Sequence, residues 1–322
     1  MAYSSRRKNR KQPSGSRTAA LVVLLLIVGA VAGYFFLSPH KKTGIVHHIK
    51  PELSRVKPFK PISSIQPHQA PVVPLPTLKK QSDHPPAVKV PEIEKLESVG
   101  GTPGRLAIII DDMGSSMSEA RSLAAIKVPL TFSIIPGLRV DRDVAAYAAN
   151  NKIETMIHIP MQPKGWPARH MEANGLLVSM DSKELQERVS GFVQEFPGAV
   201  GANNHMGSEF TEQEEKMVAV LQVMAKNDLF FIDSLTSPKS ICLRVAQQLG
   251  LRSAKRNVFL DNEQERSYIL GQLNQAVRLA RKNGSAIAIC HPHPVTIATL
   301  AEVLPKLARQ GLHLVQASQL VK

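Results

Sequence analysis

The amino-acid sequence predicts an α/β chain: a distorted parallel (β/α)7-8 barrel, complete or incomplete, preceded by one transmembrane helix and a Pro-rich linker. Three observations carry that expectation. From residue 105 onward, short β-rich apolar runs alternate with longer segments of helical periodicity, the pattern of repeated βα units in a parallel sheet. Residues 19–37 form an apolar run without a charge. Between the two, proline recurs with no sustained apolar period.

The formal net charge of +14 raises the question of nucleic acid until the charge is located. Residues 1–60 hold twelve Lys and Arg against the single acid Glu52, and the remainder of the chain is close to neutral. A basic tail over residues 1–18, beside an apolar run, indicates membrane topology rather than a nucleic-acid groove, so no nucleic-acid partner is expected. At about 1.5 Å per residue, the run over 19–37 is just long enough to cross a bilayer core of about 30 Å. A cleaved signal peptide would have a shorter apolar region and a small-residue cleavage site, which Tyr34, Phe35, Phe36 and Leu37 do not supply. The run is therefore read as a transmembrane signal anchor. Arg6, Arg7, Lys8, Arg10, Lys11 and Arg17 precede it, whereas only Lys41 and Lys42 follow closely. This places the N-terminus in the cytoplasm and the rest of the chain beyond the inner membrane, periplasmic or extracytoplasmic. Residues 38–104 read as a semi-extended linker that holds the following domain off the bilayer, with room for an envelope protein partner to dock. Cys242 and Cys290 have no CxxC spacing and read as small buried residues.

Within residues 105–322, positions 106–110 (Leu-Ala-Ile-Ile-Ile) give the clearest buried strand, followed by a helix over 115–126. Strands over 129–135 and 153–159 bracket a helix over 141–150. After a loop containing Trp166, Asp181 or Ser182 caps a helix reaching 196, with Glu184 in its first turn. A short strand covers 199–203, and Thr211 opens a helix to 226 with Glu214 at capping-box spacing. Then come a strand over 229–232, a helix over 240–249 stopped by Gly250, and a strand near 251–254. A long helix over 264–282, a strand over 285–290, a helix over 295–309 and a strand over 312–315 complete the domain.

Ionisable residues fall at the carboxyl ends of these strands: Asp111 and Asp112, His158, His205, Asp233 and His291. In a parallel barrel such ends open on one face, where ligands bind and chemistry is done. Taken singly, each has a structural explanation: Asp111 and Asp112 can cap the next helix, His158 can be a core histidine, residues 203–208 can be a polar turn, and His291 to Pro294 can be a rigid link. Their conjunction is what points to a site. One carboxylate and two imidazoles make an N/O ligand set for a divalent metal, zinc being suited, and adjacent aspartates can divide metal binding from base catalysis. The chemistry implied is metal-assisted hydrolysis of an amide or ester.

The motif Asp111-Asp112-Met113-Gly114 after an apolar strand resembles the first motif of the carbohydrate esterase family 4 polysaccharide deacetylases. The fuller set resembles the divergent polysaccharide deacetylase branch: residues 154–161 (Glu-Thr-Met-Ile-His-Ile-Pro-Met), 201–208 (Gly-Ala-Asn-Asn-His-Met-Gly-Ser), 231–234 (Phe-Ile-Asp-Ser), 258–262 (Val-Phe-Leu-Asp-Asn) and 291–294 (His-Pro-His-Pro). The resemblance implies a distorted barrel and a metal-dependent deacetylase acting on a glycan. Asp111 matches the family's base, Asp112 its metal aspartate, His205 a metal histidine and His291 the late general acid. The family's second metal histidine falls at Glu209 here, so His158 is taken as the third ligand, with Glu209 the weaker candidate. The Arg-x-Pro-x-Tyr motif is not evident. Asp233 is a further catalytic candidate, and Asp261 and Arg256 have either orienting or loop-stabilising roles. The expected function is removal of acetyl groups from an envelope polysaccharide or peptidoglycan-like glycan. The alternative is a catalytically inactive metal- or glycan-binding or scaffold module of the envelope.

Overall fold

The structure is a computed structural model and describes residues 103–322. The basic tail, the anchor over 19–37 and nearly all of the linker lie outside the described residues. Among the described residues, no helix is long and apolar enough to cross a membrane.

The first strand, β1 (Arg105–Met113), shows why the chain folds in layers. Successive strand side chains point to opposite faces. Leu106, Ile108 and Ile110 enter the large core beneath the helices, whereas Ala107 and Ile109 enter a second core with Met156, Phe230, Ile232, Ile287 and Ile289. A strand buried on both sides reads as a continuous apolar run, which is why these residues carry no alternation. The chain continues through α1 (Met117–Ala124), β2 (Thr131–Ile134), α2 (Asp141–Asn150), β3 (Glu154–Met161), α3 (Ser182–Glu195), β4 (Gly201–Met206) and α4 (Glu214–Lys226). It then forms β5 (Phe230–Asp233), α5 (Cys242–Gln248), β6 (Ser253–Lys255), β7 (Val258–Phe259), α6 (Arg266–Asn283), β8 (Ser285–Cys290), α7 (Pro294–Arg309) and β9 (His313–Val315).

All neighbouring strands are parallel, in the order β6-β5-β4-β3-β2-β1-β8-β7, with β9 alongside the start of β1. No pairing joins β6 to β7. The sheet is therefore a curled half-barrel with an open seam rather than a closed ring. The chain crosses that seam at two residues: the Arg256 amide donates to the Asp233 carbonyl (3.0 Å) on one side, and the Asn257 amide to the Ile287 carbonyl (2.8 Å) on the other. The two-residue β7, with too few positions to show a period, is not visible in the sequence.

Two helix starts separate what the sequence predicts from what forms. Asp181 caps α3 as expected, its Oδ1 accepting from the Glu184 amide at 2.8 Å. The capping box of Thr211 and Glu214 does not form. The Thr211 hydroxyl donates instead to the Gly207 carbonyl at 2.8 Å, within a 3-10 turn over Phe210–Glu212, and α4 begins at Glu214 without a side-chain cap. At α1 the cap is Ser116, whose Oγ accepts from Glu119, so neither Asp111 nor Asp112 is needed there.

Gly201 in β4 lies beside Phe230 in β5, and a Cβ at Gly201 would meet the Phe230 ring at 2.4 Å. Phe230 is fully buried, so the ring has nowhere to retreat. Gly201→Ala is expected to destabilise the domain by about 1–3 kcal/mol through overpacking, measurable as a lower denaturant midpoint.

Candidate functional site

Adjacent residues of a regular strand face opposite ways, so Asp111 and Asp112 need a device to serve one site. That device is a bulge. Ile110 pairs with Phe132 and Met113 with Ile134, so Asp111 and Asp112 together oppose the single residue Ser133. Asp112 takes φ 56, in the left-handed region, at a cost of order 1 kcal/mol. Both carboxylates then reach one imidazole: His158 Nε2 is 3.5 Å from Asp111 Oδ2 and 3.2 Å from Asp112 Oδ1. Left-handed backbone recurs at two other strand ends on this face, Met206 (φ 51) after His205 and Leu235 (φ 52) after β5.

Strand register brings in the histidines. In β3 and β4, His158 pairs with Asn203 and Pro160 with His205, so Asn203 and His205, two residues apart, face the same way as His158. His205 Nδ1 comes within 2.9 Å of Asp112 Oδ1 and 3.3 Å of His158 Nε2. Ligands about 2.1 Å from a tetrahedral ion stand roughly 3.4 Å apart, close to these separations. Asp112 Oδ1 is buried yet has no well-directed hydrogen-bond partner, and it is an orphan acceptor aimed at two ring nitrogens. The donor set Asp112, His158 and His205 thus fits a divalent cation. Burial alone would raise the Asp112 pKa, but the two imidazoles hold it well below the usual carboxylate range.

Asn203 organises the buried side of this cluster. Its Nδ2 donates to Asp111 Oδ1 (2.8 Å) and Ser234 Oγ (3.1 Å). Its Oδ1 accepts from Ser133 Oγ (2.5 Å) and lies 2.7 Å from His158 Nδ1. Because an ionised carboxylate only accepts, the Asn203 amide is oriented with Nδ2 toward Asp111, so His158 Nδ1 carries a proton toward Asn203 Oδ1 and Nε2 is the ring nitrogen turned to the two aspartates, whose charges favour the protonated ring against the opposing effect of burial. Burial raises the Asp111 pKa, and the charges of His158 and His291 together with the Asn203 hydrogen bond act against that rise. At His205 the outer nitrogen, Nε2, lies 3.6 Å from Glu172 Oε2, a buried oxygen without a hydrogen-bond partner.

His291, at the end of β8, is held by Asp261. Asp261 Oδ2 accepts from the His291 amide (2.8 Å) and the Thr296 hydroxyl (2.9 Å), while Oδ1 takes His291 Nδ1 at 3.1 Å. Nε2 is thereby turned toward Asp112, 3.8 Å from its Oδ2. Burial opposes charge on His291, but the Asp261 hydrogen bond and both site aspartates push its pKa up to about 9. Since this exceeds the ordinary 6.5, the protonated ring adds stability that is complete below about pH 6.5 and lost as the pH rises through 9. In protein stripped of divalent cations, Asp261→Asn is expected to lower the His291 pKa by about one unit or more, read by ring nitrogen NMR titration.

These groups line one cavity of about 710 Å³, whose wall includes Asp111, His158, His205 and His291. Asp233 is not brought into that wall. Its Oδ1 accepts from the Leu235 amide and its Oδ2 from the Ser240 hydroxyl, both at 2.8 Å, so it shapes the turn after β5. Glu209 also stands apart from the three-ligand cluster, its Oε2 accepting from Gln162 Nε2 at 2.9 Å. The residues that sequence reasoning passes over are Asn203, Ser133, Ser234 and Glu172. Asn203 alone carries a clear signal, lying two residues before His205 and hence on its face, whereas Glu172 sits in the loop between β3 and α3, where no period marks it.

A family model described as divergent polysaccharide deacetylase matches residues 108–321. The chain is 38% identical over 218 residues to the uncharacterized protein YibQ of Escherichia coli (strain K12), covering 68% of this chain and 67% of that protein. It is 36% identical over 203 residues to an uncharacterized protein of Haemophilus influenzae (strain ATCC 51907 / DSM 11121 / KW20 / Rd), covering 63% of this chain and 72% of that one. Among solved structures, the uncharacterized protein ATU2773 from Agrobacterium tumefaciens C58 superposes with a TM-score of 0.66 at 23% identity, over 69% of this chain and 91% of its own, and so shares the fold. By the match across nearly all of its described residues, the chain belongs to the divergent polysaccharide deacetylase family.

Proposed function

We propose that this protein is a metal-dependent hydrolase that removes acetyl groups from an N-acetylated envelope polysaccharide or peptidoglycan-like glycan. The observation that carries the reading is the convergence of Asp112, His158 and His205 within ligand distance of one another, beside a buried Asp111 and an Asp261-held His291. Family membership supports the same class of reaction.

Asp112, His158 Nε2 and His205 Nδ1 would hold the cation, and two nitrogens with one oxygen suit zinc. When bound, the metal supplies Lewis acidity toward the acetyl carbonyl and makes a water more acidic. Asp111 is the base that takes the proton from the attacking water, its second oxygen being free of the Asn203 bond. His291, protonated and directed by Asp261, gives a proton to the departing nitrogen as the C–N bond breaks, so that acetate and a free amine leave. Asn203 holds base and ligand in register.

The test is acetate release from N-acetylated glycan oligomers by protein carrying metal. No release from any of them would favour a catalytically inactive metal- or glycan-binding or scaffold module, a reading supported by the missing Arg-x-Pro-x-Tyr motif. We also place the domain outside the cytoplasm, anchored by residues 19–37 in the inner membrane, with the linker available to an envelope partner. Protease added to intact spheroplasts should then remove the domain.

A further inference from the structure

Among the described residues, four buried side-chain oxygens have no hydrogen-bond partner, and two of them, Asp112 Oδ1 and Glu172 Oε2, flank the ring of His205. Asp112 Oδ1 stands 2.9 Å from Nδ1, and Glu172 Oε2 stands 3.6 Å from Nε2. The first belongs to the three-ligand cluster, whereas the second lies outside it. Glu172 is not free to drift. It lies in the loop between β3 and α3, where its carbonyl accepts from the Gly175 amide (2.9 Å). The residues after it are pinned to the ends of two strands: Asn174 Nδ2 donates to the Pro136 carbonyl (2.7 Å) and the Leu176 amide to the Pro160 carbonyl (2.8 Å). A buried carboxylate oxygen without a donor is costly, so its place beside a ring nitrogen calls for a state in which that nitrogen donates. Metal binding supplies that state. An imidazole that gives its Nδ1 lone pair to a cation carries its proton on Nε2, and ligating histidines commonly pass that N–H to a carboxylate. A movement of under about 1 Å brings Glu172 Oε2 to the roughly 2.8 Å of a charge-assisted hydrogen bond.

We propose that Glu172 is a positioning residue of the metal centre, its carboxylate accepting the Nε2 proton of His205 when the cation holds Nδ1, so that metal binding and the seating of residues 172–176 stabilise each other. The proposal rests on reading Asp112, His158 and His205 as the cation site. Its cause is the number of donors. Without the ion, Nδ1 of His205 faces Asp112 and Nε2 faces Glu172, and a neutral ring has one proton for two acceptors. With the ion, Asp112 is a ligand and the single proton goes to Glu172, so both orphan oxygens are satisfied at once. The same loop contributes Arg169 to the cavity wall, so the steadied segment borders the space a substrate would enter.

The experiment measures the zinc affinity of the full-length chain, stripped of metal and then titrated with zinc, by competition with a chromogenic chelator. Glu172→Ala is expected to weaken zinc binding about 10–100-fold. Glu172→Gln, which loses the charge and keeps an acceptor oxygen of the same reach, should recover most of that loss. Thermal unfolding separates positioning from simple structural support. Without zinc, both variants should melt within about 2 °C of the unmodified chain, because the oxygen they alter has no partner there. The rise in midpoint produced by zinc should shrink in Glu172→Ala. Amide exchange of residues 172–176 should slow on zinc addition in the unmodified chain but not in Glu172→Ala. The proposal is overturned by a Glu172→Ala affinity within about twofold of the unmodified chain, by Glu172→Gln binding as weakly as Glu172→Ala, or by a loss of stability in Glu172→Ala that is as large without zinc as with it. If the unmodified chain and Glu172→Ala bind zinc equally well, the metal site stands and only the role of Glu172 falls. An unmodified chain that binds no zinc overturns both.

Discussion

Replacing Asp112 and His205 together by alanine is expected to take metal content from about one divalent ion per chain to near zero. The two side chains supply two of the three converging donors, with Asp112 Oδ1 2.9 Å from His205 Nδ1. The remaining donor, His158, cannot hold the ion by itself. The fold should survive, because neither side chain belongs to the buried core: the Asp112 carboxylate is 35% exposed and the His205 ring 13%. His158 Nε2 then keeps Asp111 Oδ2, at 3.5 Å, as its neighbour. Elemental analysis after dialysis decides the matter, with thermal unfolding as the control. Full metal content in the double variant would sink the assignment of this cluster.

Asp111→Asn should lower acetate release by about 10²–10⁴-fold or more while leaving the metal bound. The amide keeps the size of the carboxylate, and its oxygen can still accept from Asn203 Nδ2, so the buried network stays satisfied. What it cannot do is take a proton from water. The pairing of readouts separates the roles of two neighbours: loss at Asp112 empties the site, whereas loss at Asp111 silences it. If Asp111→Asn loses metal as well, Asp111 is a ligand and the division of labour fails. If it keeps both metal and activity, the base lies elsewhere.

Much of the architecture was legible in the sequence because burial leaves a one-dimensional trace. Leu106 to Ile110 is apolar without alternation since both faces are covered, and α6 and α7 show helical periodicity over four or more turns. The elements that escaped are local choices made by tertiary contacts. Val258–Phe259 is too short to carry a period, and Thr211 satisfies the Gly207 carbonyl because the loop after β4 turns back on itself there. The site divides in the same way. Asp111, Asp112, His158, His205 and His291 stand out as ionisable residues at strand ends. Asn203 and Glu172 are ordinary polar residues until the chain is folded, and Asp233 has the same strand-end signature as the others although its oxygens are spent on its own turn.

By itself, then, the sequence determined every strand but the two-residue β7, that they run parallel, and which residues reach their carboxyl ends, since hydrophobic period and residue type are properties of the chain alone. Only the tertiary structure decided that the sheet stays open between β6 and β7, that a bulge turns two successive aspartates to one side, and that His158 is aimed by an amide while His291 is aimed by a carboxylate. Those are matters of register and distance between segments far apart in sequence. They are fixed by hydrogen bonds across the sheet, and no pattern along one strand encodes them.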